Sequence, residues 1–196
     1  MKILLIRHGE TEGNYKGLYQ GRSEYGLNEE GKKQAIKLGE LLKDYNISKV
    51  YCSPQKRCIE TLELMNKKFR DIVFSEELRE IDFGKWEGLN YKEIEKLFPG
   101  EWKNFIADYS SFTFPKGDSF KDFYYRCNSF LDKLKNEKDN EVILIVTHGG
   151  VIRALFSGIL SLGLKGFYIV NPMQGAYSEI NIFGSEVEIK YVNKDN

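Results

Sequence analysis

This chain has only two histidines, His8 and His148, and each closes an apolar run and precedes a glycine: KILLIRHG over 2–9 and EVILIVTHGG over 141–150. A segment that is apolar at every position, not every second one, predicts a strand buried on both faces, as in a parallel sheet covered by helices. In open α/β sheets ligands bind outside the carboxyl ends of the strands. Two histidines at such ends therefore share one crevice if their strands are neighbours, and the flanking glycines let other backbone come close.

The rest of the chain supplies the helices such a sheet needs. Asn28 ahead of Glu29 and Glu30 predicts a helix start, with Ala35, Leu38, Leu42 and Tyr45 on one face to about residue 45. A short strand is predicted at 49–52. Ser53-Pro54 then opens a second helix, with proline in its first turn, to about residue 67. A third strand follows at 72–74 and a charged, glycine-punctuated loop at 76–88. Two short helices broken at Pro99-Gly100 occupy 91–109, and Ser119 caps a longer helix with Phe120, Phe123, Cys127, Phe130 and Leu134 on one face. After the strand at 141–146, an apolar helix runs to about 162, and strands at 178–183 and 186–192 are joined through Gly184-Ser185. The expected fold class is α/β: a three-layer sandwich with a largely parallel sheet, one antiparallel strand and helices on both faces. No linker interrupts it, so residues 1–196 are expected to form a single domain.

Composition narrows the partners. Lys and Arg number 29 and Asp and Glu 29, for zero formal net charge. That removes the basic footprint of a nucleic-acid or anionic-membrane binder. No apolar stretch approaches ~18 residues, and the first apolar run is too short for a signal peptide, so a soluble cytoplasmic protein is expected. Cys52, Cys58 and Cys127 lack CxxC spacing, which suggests neither a zinc site nor a disulfide framework.

Arginine is scarce, with seven in the chain, yet Arg7 adjoins His8 and Arg57 falls in the first turn of the helix after the second strand. A guanidinium fork and the N–H groups of a helix start both suit a phosphate. A leaving alcohol also needs a proton donor, and spacing alone does not choose among Glu76, Glu77, Glu80, Asp82 and Glu87.

Four ordered blocks carry a family resemblance: Arg7-His8-Gly9-Glu10-Thr11-Glu12-Gly13-Asn14; Ser53-Pro54 with Arg57 and Thr61; Leu78-Arg79-Glu80 with Phe83-Gly84 and Trp86-Glu87-Gly88; and Thr147-His148-Gly149-Gly150. Together they resemble the histidine phosphatase superfamily, which includes cofactor-dependent phosphoglycerate mutases, broad-specificity phosphatases and α-ribazole phosphatases. The resemblance implies a phosphoglycerate mutase-like fold and a phosphomonoesterase with no metal or cofactor, acting on a small phosphate monoester as a monomer or homodimer. It implies His8 as nucleophile, Glu80 as general acid, and Arg7, Arg57 and a protonated His148 as an electrostatic clamp on the phosphoryl group. Asn14, Gln20, Gly21 and Gly149 are implied in phosphate or substrate binding. The chain departs from the family pattern at Ser23-Glu24-Tyr25-Gly26-Leu27-Asn28, where an Asp and Pro-Leu-Thr are common, which leaves that loop's geometry open.

No arginine lies between Glu80 and Arg126, where the family's mutases carry extra basic residues, so the resemblance implies hydrolysis over mutase activity. Eight aromatics crowd residues 86–114, namely Trp86, Tyr91, Phe98, Trp102, Phe105, Tyr109, Phe112 and Phe114. The segment at about 86–118 reads as a helical cap whose rings either contact a ring-bearing leaving group or pack the cap onto the sheet. Similarity to α-ribazole phosphatases, including Gly117-Asp118-Ser119-Phe120, implies α-ribazole 5′-phosphate and a place in cobalamin nucleotide-loop assembly. The alternatives are a broad-specificity or sugar-phosphate phosphatase, a mutase, and a catalytically silent phosphate-binding protein. A dinucleotide-binding domain is disfavoured because no GxGxxG follows the first strand.

Overall fold

The computed structural model describes residues 1–134 and 141–196. In chain order the elements are β1 (Lys2–Arg7), α1 (Glu12–Tyr15), α2 (Glu29–Leu41), β2 (Lys49–Cys52), α3 (Lys56–Leu64), β3 (Ile72–Phe74), α4 (Tyr91–Leu97), α5 (Pro99–Ala107), α6 (Phe120–Leu134), β4 (Val142–Thr147), α7 (Gly149–Ile159), β5 (Tyr177–Phe183) and β6 (Glu186–Lys194). The strands form one sheet in the order β3-β2-β4-β1-β5-β6. β1 to β4 pair in parallel, and β5 runs antiparallel to both of its neighbours. The expected mixed sheet with one reversed strand is therefore observed.

The apolar runs are continuous because each central strand feeds two cores. Ile3 and Leu5 of β1 join Ile143 and Ile145 of β4 in the core under α6 and α7, while Leu4, Ile6, Leu144 and Val146 face the core built with Leu38, Leu62 and Met65 of the α2–α3 side. Side chains of a strand alternate between faces, so burial on both sides requires an apolar residue at every position. β1 and β4 are neighbours, with Arg7 in register with Thr147. That places His8 and His148 side by side at the carboxyl edge.

Helix ends differ from the sequence pattern where tertiary contacts take over. α2 stops at Leu41, not near Tyr45, because Lys67 Nζ donates to the carbonyls of Leu42 (2.5 Å) and Tyr45 (2.9 Å) and so holds the chain past the helix end. α3 begins at Lys56 with Gln55 as its N-cap, leaving Ser53-Pro54 outside the helix, and it ends at Leu64 shortly before Asn66, whose φ is 51°. α7 likewise stops at Ile159, just short of Ser161 at φ 55°. Ser119 does cap α6, its Oγ accepting the Asp122 N–H at 3.3 Å. The 76–88 loop contains two single 3-10 turns, Glu76–Leu78 and Gly84–Trp86.

The aromatic segment beyond Gly84 organises itself around Trp86. This fully buried side chain packs against Trp102, Phe105, Phe112 and Phe114 with ring centroids 5.3–5.9 Å apart. These rings continue the core under α6 and α7 and so pack the segment onto the sheet side that Ile3, Leu5 and Ile145 face, and truncating such a tryptophan typically costs about 3–5 kcal/mol. No helix among the described residues is long and apolar enough to cross a membrane.

Candidate active site

A cleft of about 440 Å³ opens at the carboxyl ends of β1 and β4 and is lined by Arg7, His8, Asn14, Gln20, Glu80 and Gly149, with Tyr19, Phe83, Gly150, Arg153 and Gln174 among the rest of its wall. His8 is 3% exposed, and its Nδ1 is 2.7 Å from the Gly9 carbonyl. A carbonyl only accepts, so Nδ1 carries the hydrogen and Nε2 keeps its lone pair. Burial first, then the charges of Arg57 and Arg7, hold the His8 pKa well below the ordinary histidine value. The ring is thus neutral and nucleophilic in the tautomer an attack through Nε2 requires.

His148 stands beside it, with ring centroids 5.2 Å apart, and is fully buried. Its Nδ1 accepts from Arg57 Nε at 3.1 Å, and its Nε2 is 2.8 Å from Ser53 Oγ. Arginine donates only, so Nδ1 is an acceptor and Nε2–H donates to Ser53. Burial, followed by the charges of Arg57, His8 and Arg7, also lowers its pKa strongly. Without a bound anion these contacts favour the neutral ring, where the resemblance implies a cationic one; His148 packs against His8 and is not among the residues that line the cleft. The Ser53 hydroxyl thus serves a histidine 95 residues away while its oxygen also accepts the Gln55 N–H at 3.4 Å.

Arg57 is fully buried and spends its donors on His148, on Ser23 O (Nη1, 2.8 Å) and on Gly21 O and Gln20 O (Nη2, 2.8 and 3.4 Å). It clamps the 20–23 loop to His148 and does not line the cleft. Gly21 is also outside the lining. Its N–H donates to Glu87, and a Cβ there would come within 2.0 Å of Ile81 O, so glycine is required for close packing of two loops. Glu87 receives the N–H groups of Gly21 and Arg22 (both 2.9 Å) and of Phe83 and Ser23 (both 3.2 Å), plus the Ser23 hydroxyl. This settles the geometry of the loop whose sequence departs from the family: Ser23 is held between Glu87 and Arg57.

Among the five candidate acids, only Glu80 lines the cleft. Glu76 pairs with Arg79, Glu77 with Lys133, Asp82 accepts the Gly84 N–H, and Glu87 anchors the loop. Glu80 is 7% exposed, with Oε2 accepting the Gly150 N–H at 2.9 Å and Oε1 the Ile81 N–H at 3.1 Å. Gly150 makes this approach possible, because a Cβ there would lie 2.4 Å from Oε1. Two residues that sequence reasoning passed over position the loop that carries Glu80. Gln55 donates to Gly21 O and accepts the Glu80 N–H, and Arg126 Nη1 donates to Glu77 O and Arg79 O, both at 2.8 Å.

The donors facing the cleft have their acceptor sides already committed. Asn14 Oδ1 accepts from the Thr11 N–H (3.1 Å) and Gln174 Nε2 (2.7 Å), and Gln20 Oε1 accepts from Thr11 Oγ (2.8 Å). The NH2 groups of both amides are thereby left for a ligand. Arg7 Nη1 is tied to Pro172 O at 3.0 Å. Arg7 Nε, Gln20 Nε2 and Arg153 Nε, all from cleft-lining residues, are buried and have no partner among the described residues. Buried donors of this kind cost free energy unless a ligand satisfies them. With the N-terminal end of α7 at Gly149 adding its positive end, the site is built for an anion rich in acceptor oxygens.

A second compartment of about 320 Å³ adjoins the cleft, sharing Tyr19, Glu80, Phe83, Gly150 and Arg153 with it. Phe105, Phe114, Phe120, Phe167 and Tyr168 complete its aromatic wall. Only Phe105 and Phe114 come from the aromatic-rich segment. Trp86 and Trp102 pack into the core and do not line the chamber, whereas Phe167 and Tyr168 come from beyond α7, where no sequence pattern marked them.

Comparison with known proteins shows the family. The family model for the histidine phosphatase superfamily (branch 1) matches residues 3–195. Phosphoserine phosphatase 1 of Hydrogenobacter thermophilus is 30% identical over 183 residues, covering 93% of this chain and 87% of that protein. The adenosylcobalamin/α-ribazole phosphatase of Salmonella typhimurium is 30% identical over 195 residues, covering 98% of this chain and 96% of its own. The crystal structure of the α-ribazole phosphatase from Shigella flexneri superposes with a TM-score of 0.93 at 28% identity, covering 100% of this chain and 97% of that one.

Proposed function

The chain belongs to the histidine phosphatase superfamily and is a phosphoric monoester hydrolase, and from that premise we propose that it works through a phosphohistidine at His8 and takes α-ribazole 5′-phosphate as its substrate. In this reading residues 1–196 act as one catalytic domain, with the segment at about 86–118 as its cap. His8 Nε2 attacks phosphorus, forming a P–N bond as the P–O ester bond breaks, and Glu80 gives its proton to the leaving alkoxide. Glu80 then takes a proton from the water that attacks phosphorus, which breaks the P–N bond and releases inorganic phosphate and free His8.

The negative charge of the transferring group spreads over its equatorial oxygens. Arg7, Asn14, Gln20 and the α7 N-terminus at Gly149 supply donors there, preorganised by contacts made before substrate arrives. Arg57, His148 and Gly21 act from behind: Arg57 keeps His8 neutral by its charge and holds the 20–23 loop, and His148 seats the back of the nucleophile.

The observation that carries the substrate assignment is the aromatic chamber opening directly off the phosphate cleft. A planar ring on the leaving alcohol would bury itself there, while a compact alcohol such as serine would leave the chamber unused. The cap contributes rings to the chamber, not cations, which favours discharge of the intermediate by water over retention of a second phosphate. The test compares kcat/KM for α-ribazole 5′-phosphate, O-phosphoserine, 3-phosphoglycerate and an aryl phosphate, with Phe105→Ala alongside wild type. The ribazole ester is expected to lead, and Phe105→Ala to erode that lead; a preference for phosphoserine would overturn the assignment while leaving the hydrolase intact.

A further inference from the structure

Arg153 stands at the junction of the two compartments and lines both. Its guanidinium carbon lies 4.9 Å from the centroid of the Tyr168 ring and 6.0 Å from that of Phe167. Nη2 donates to Asn171 Oδ1 at 2.7 Å. Nε is buried and has no partner among the described residues. The side chain is therefore already held by ring stacking and by Asn171, and its buried Nε–H is left unused on a residue that lines both compartments.

The surroundings select the chemistry of that connector. An unused N–H on a residue that lines both compartments takes an acceptor oxygen, and a hydroxyl supplies one without bringing a charge. A carboxylate only accepts, and at this junction it would face Glu80, which lines both compartments. We infer that Arg153 is a specificity-determining residue for the leaving alcohol, donating through Nε–H to a hydroxyl of a sugar ring that joins the phosphate in the cleft to a planar ring in the chamber. The inference rests on the phosphatase reading with a ring-bearing alcohol, and it extends the substrate class to ribonucleoside-like 5′-phosphates.

The experiment measures kcat/KM for adenosine 5′-monophosphate and its 2′,3′-dideoxy analogue, with O-phosphoserine and an aryl phosphate alongside, in wild type, Arg153→Met and Arg153→Lys. Wild type is expected to prefer the ribose ester by about tenfold or more, the value of one hydrogen bond from a charged donor. Arg153→Met should bring the ratio close to one, and Arg153→Lys should not restore it, because lysine has charge but no donor at that point. Equal turnover of the two nucleotides by wild type would overturn the inference even if the variants failed to fold. So would an unchanged ratio in folded Arg153→Met, full rescue by lysine, or a loss confined to phosphoserine. Aryl phosphate turnover by wild type separates these outcomes from failure of the phosphatase reading, in which no ester is hydrolysed.

Discussion

Arg57 Nε and His148 Nδ1 are 3.1 Å apart in a fully buried contact that ties α3 to the end of β4 beside His8. Because the arginine can only donate, this one contact sets the tautomer of His148, and the remaining guanidinium bonds fix the loop that carries Gln20.

Arg57→Lys is therefore not a conservative change. One ammonium cannot reach His148, Ser23 O and Gly21 O together, so buried carbonyls lose their donor at about 1–3 kcal/mol each. Thermal unfolding should show a clear loss of stability. Steady-state kinetics should show kcat/KM down by about tenfold to a hundredfold on every ester, since the damage is to the shared phosphate cleft. A lysine variant with wild-type stability and activity would remove Arg57 from the positioning role.

Glu80→Gln separates proton donation from binding. The amide keeps one acceptor for the Gly150 N–H but has no proton to give. Loss of a general acid typically costs about 10²–10⁴-fold, and the loss should be large for alkyl phosphates and small for aryl phosphates, whose phenolate leaves unaided. Measuring kcat/KM across leaving groups of falling pKa checks this. An equal loss across the series would mean that Glu80 shapes the cleft without donating the proton.

The depressed pKa values of His8 and His148 set a pH dependence of stability. In the unfolded chain both titrate near the ordinary value of about 6.5; in the fold burial, then neighbouring arginines, hold them neutral to much lower pH. As pH falls through about 6.5 the unfolded chain takes up protons that the folded one refuses, so unfolding is favoured. Stability should be flat in this respect above about pH 7 and should decline below it, by up to about 1.4 kcal/mol per pH unit for each histidine. Urea denaturation as a function of pH checks this, and His8→Asn should remove one proton's worth of the slope. A slope unchanged in that variant would show that His8 is protonated in the fold.

The strand pattern and the pairing of the two histidines were readable because burial on both faces leaves a mark at every position of KILLI and VILIV. Glu80 became distinct from its four acidic neighbours only in three dimensions, where each of the others is engaged elsewhere. The helix after β2 starts at Lys56, two residues beyond Pro54, and the bond from Ser53 to His148, 95 residues distant, is one that no local pattern carries. Arg126, Gln174 and Arg153 were likewise silent. Each acts through contacts with distant loops or rings, and isolated long-range contacts have no period. The aromatic excess at 86–114 was visible, but its division between a core around Trp86 and a wall of the chamber depends on which faces α4 and α5 turn to the sheet.

The most direct test of the central claim is rapid quenching of the enzyme during turnover of a phosphate-labelled aryl ester, followed by peptide mapping. The account predicts an acid-labile, base-stable phosphoryl label on the peptide containing His8, formed within one turnover, absent in His8→Ala, and accompanied by loss of hydrolysis in that variant. Turnover that persists in folded His8→Ala, or wild-type turnover with the label on another residue, would contradict it.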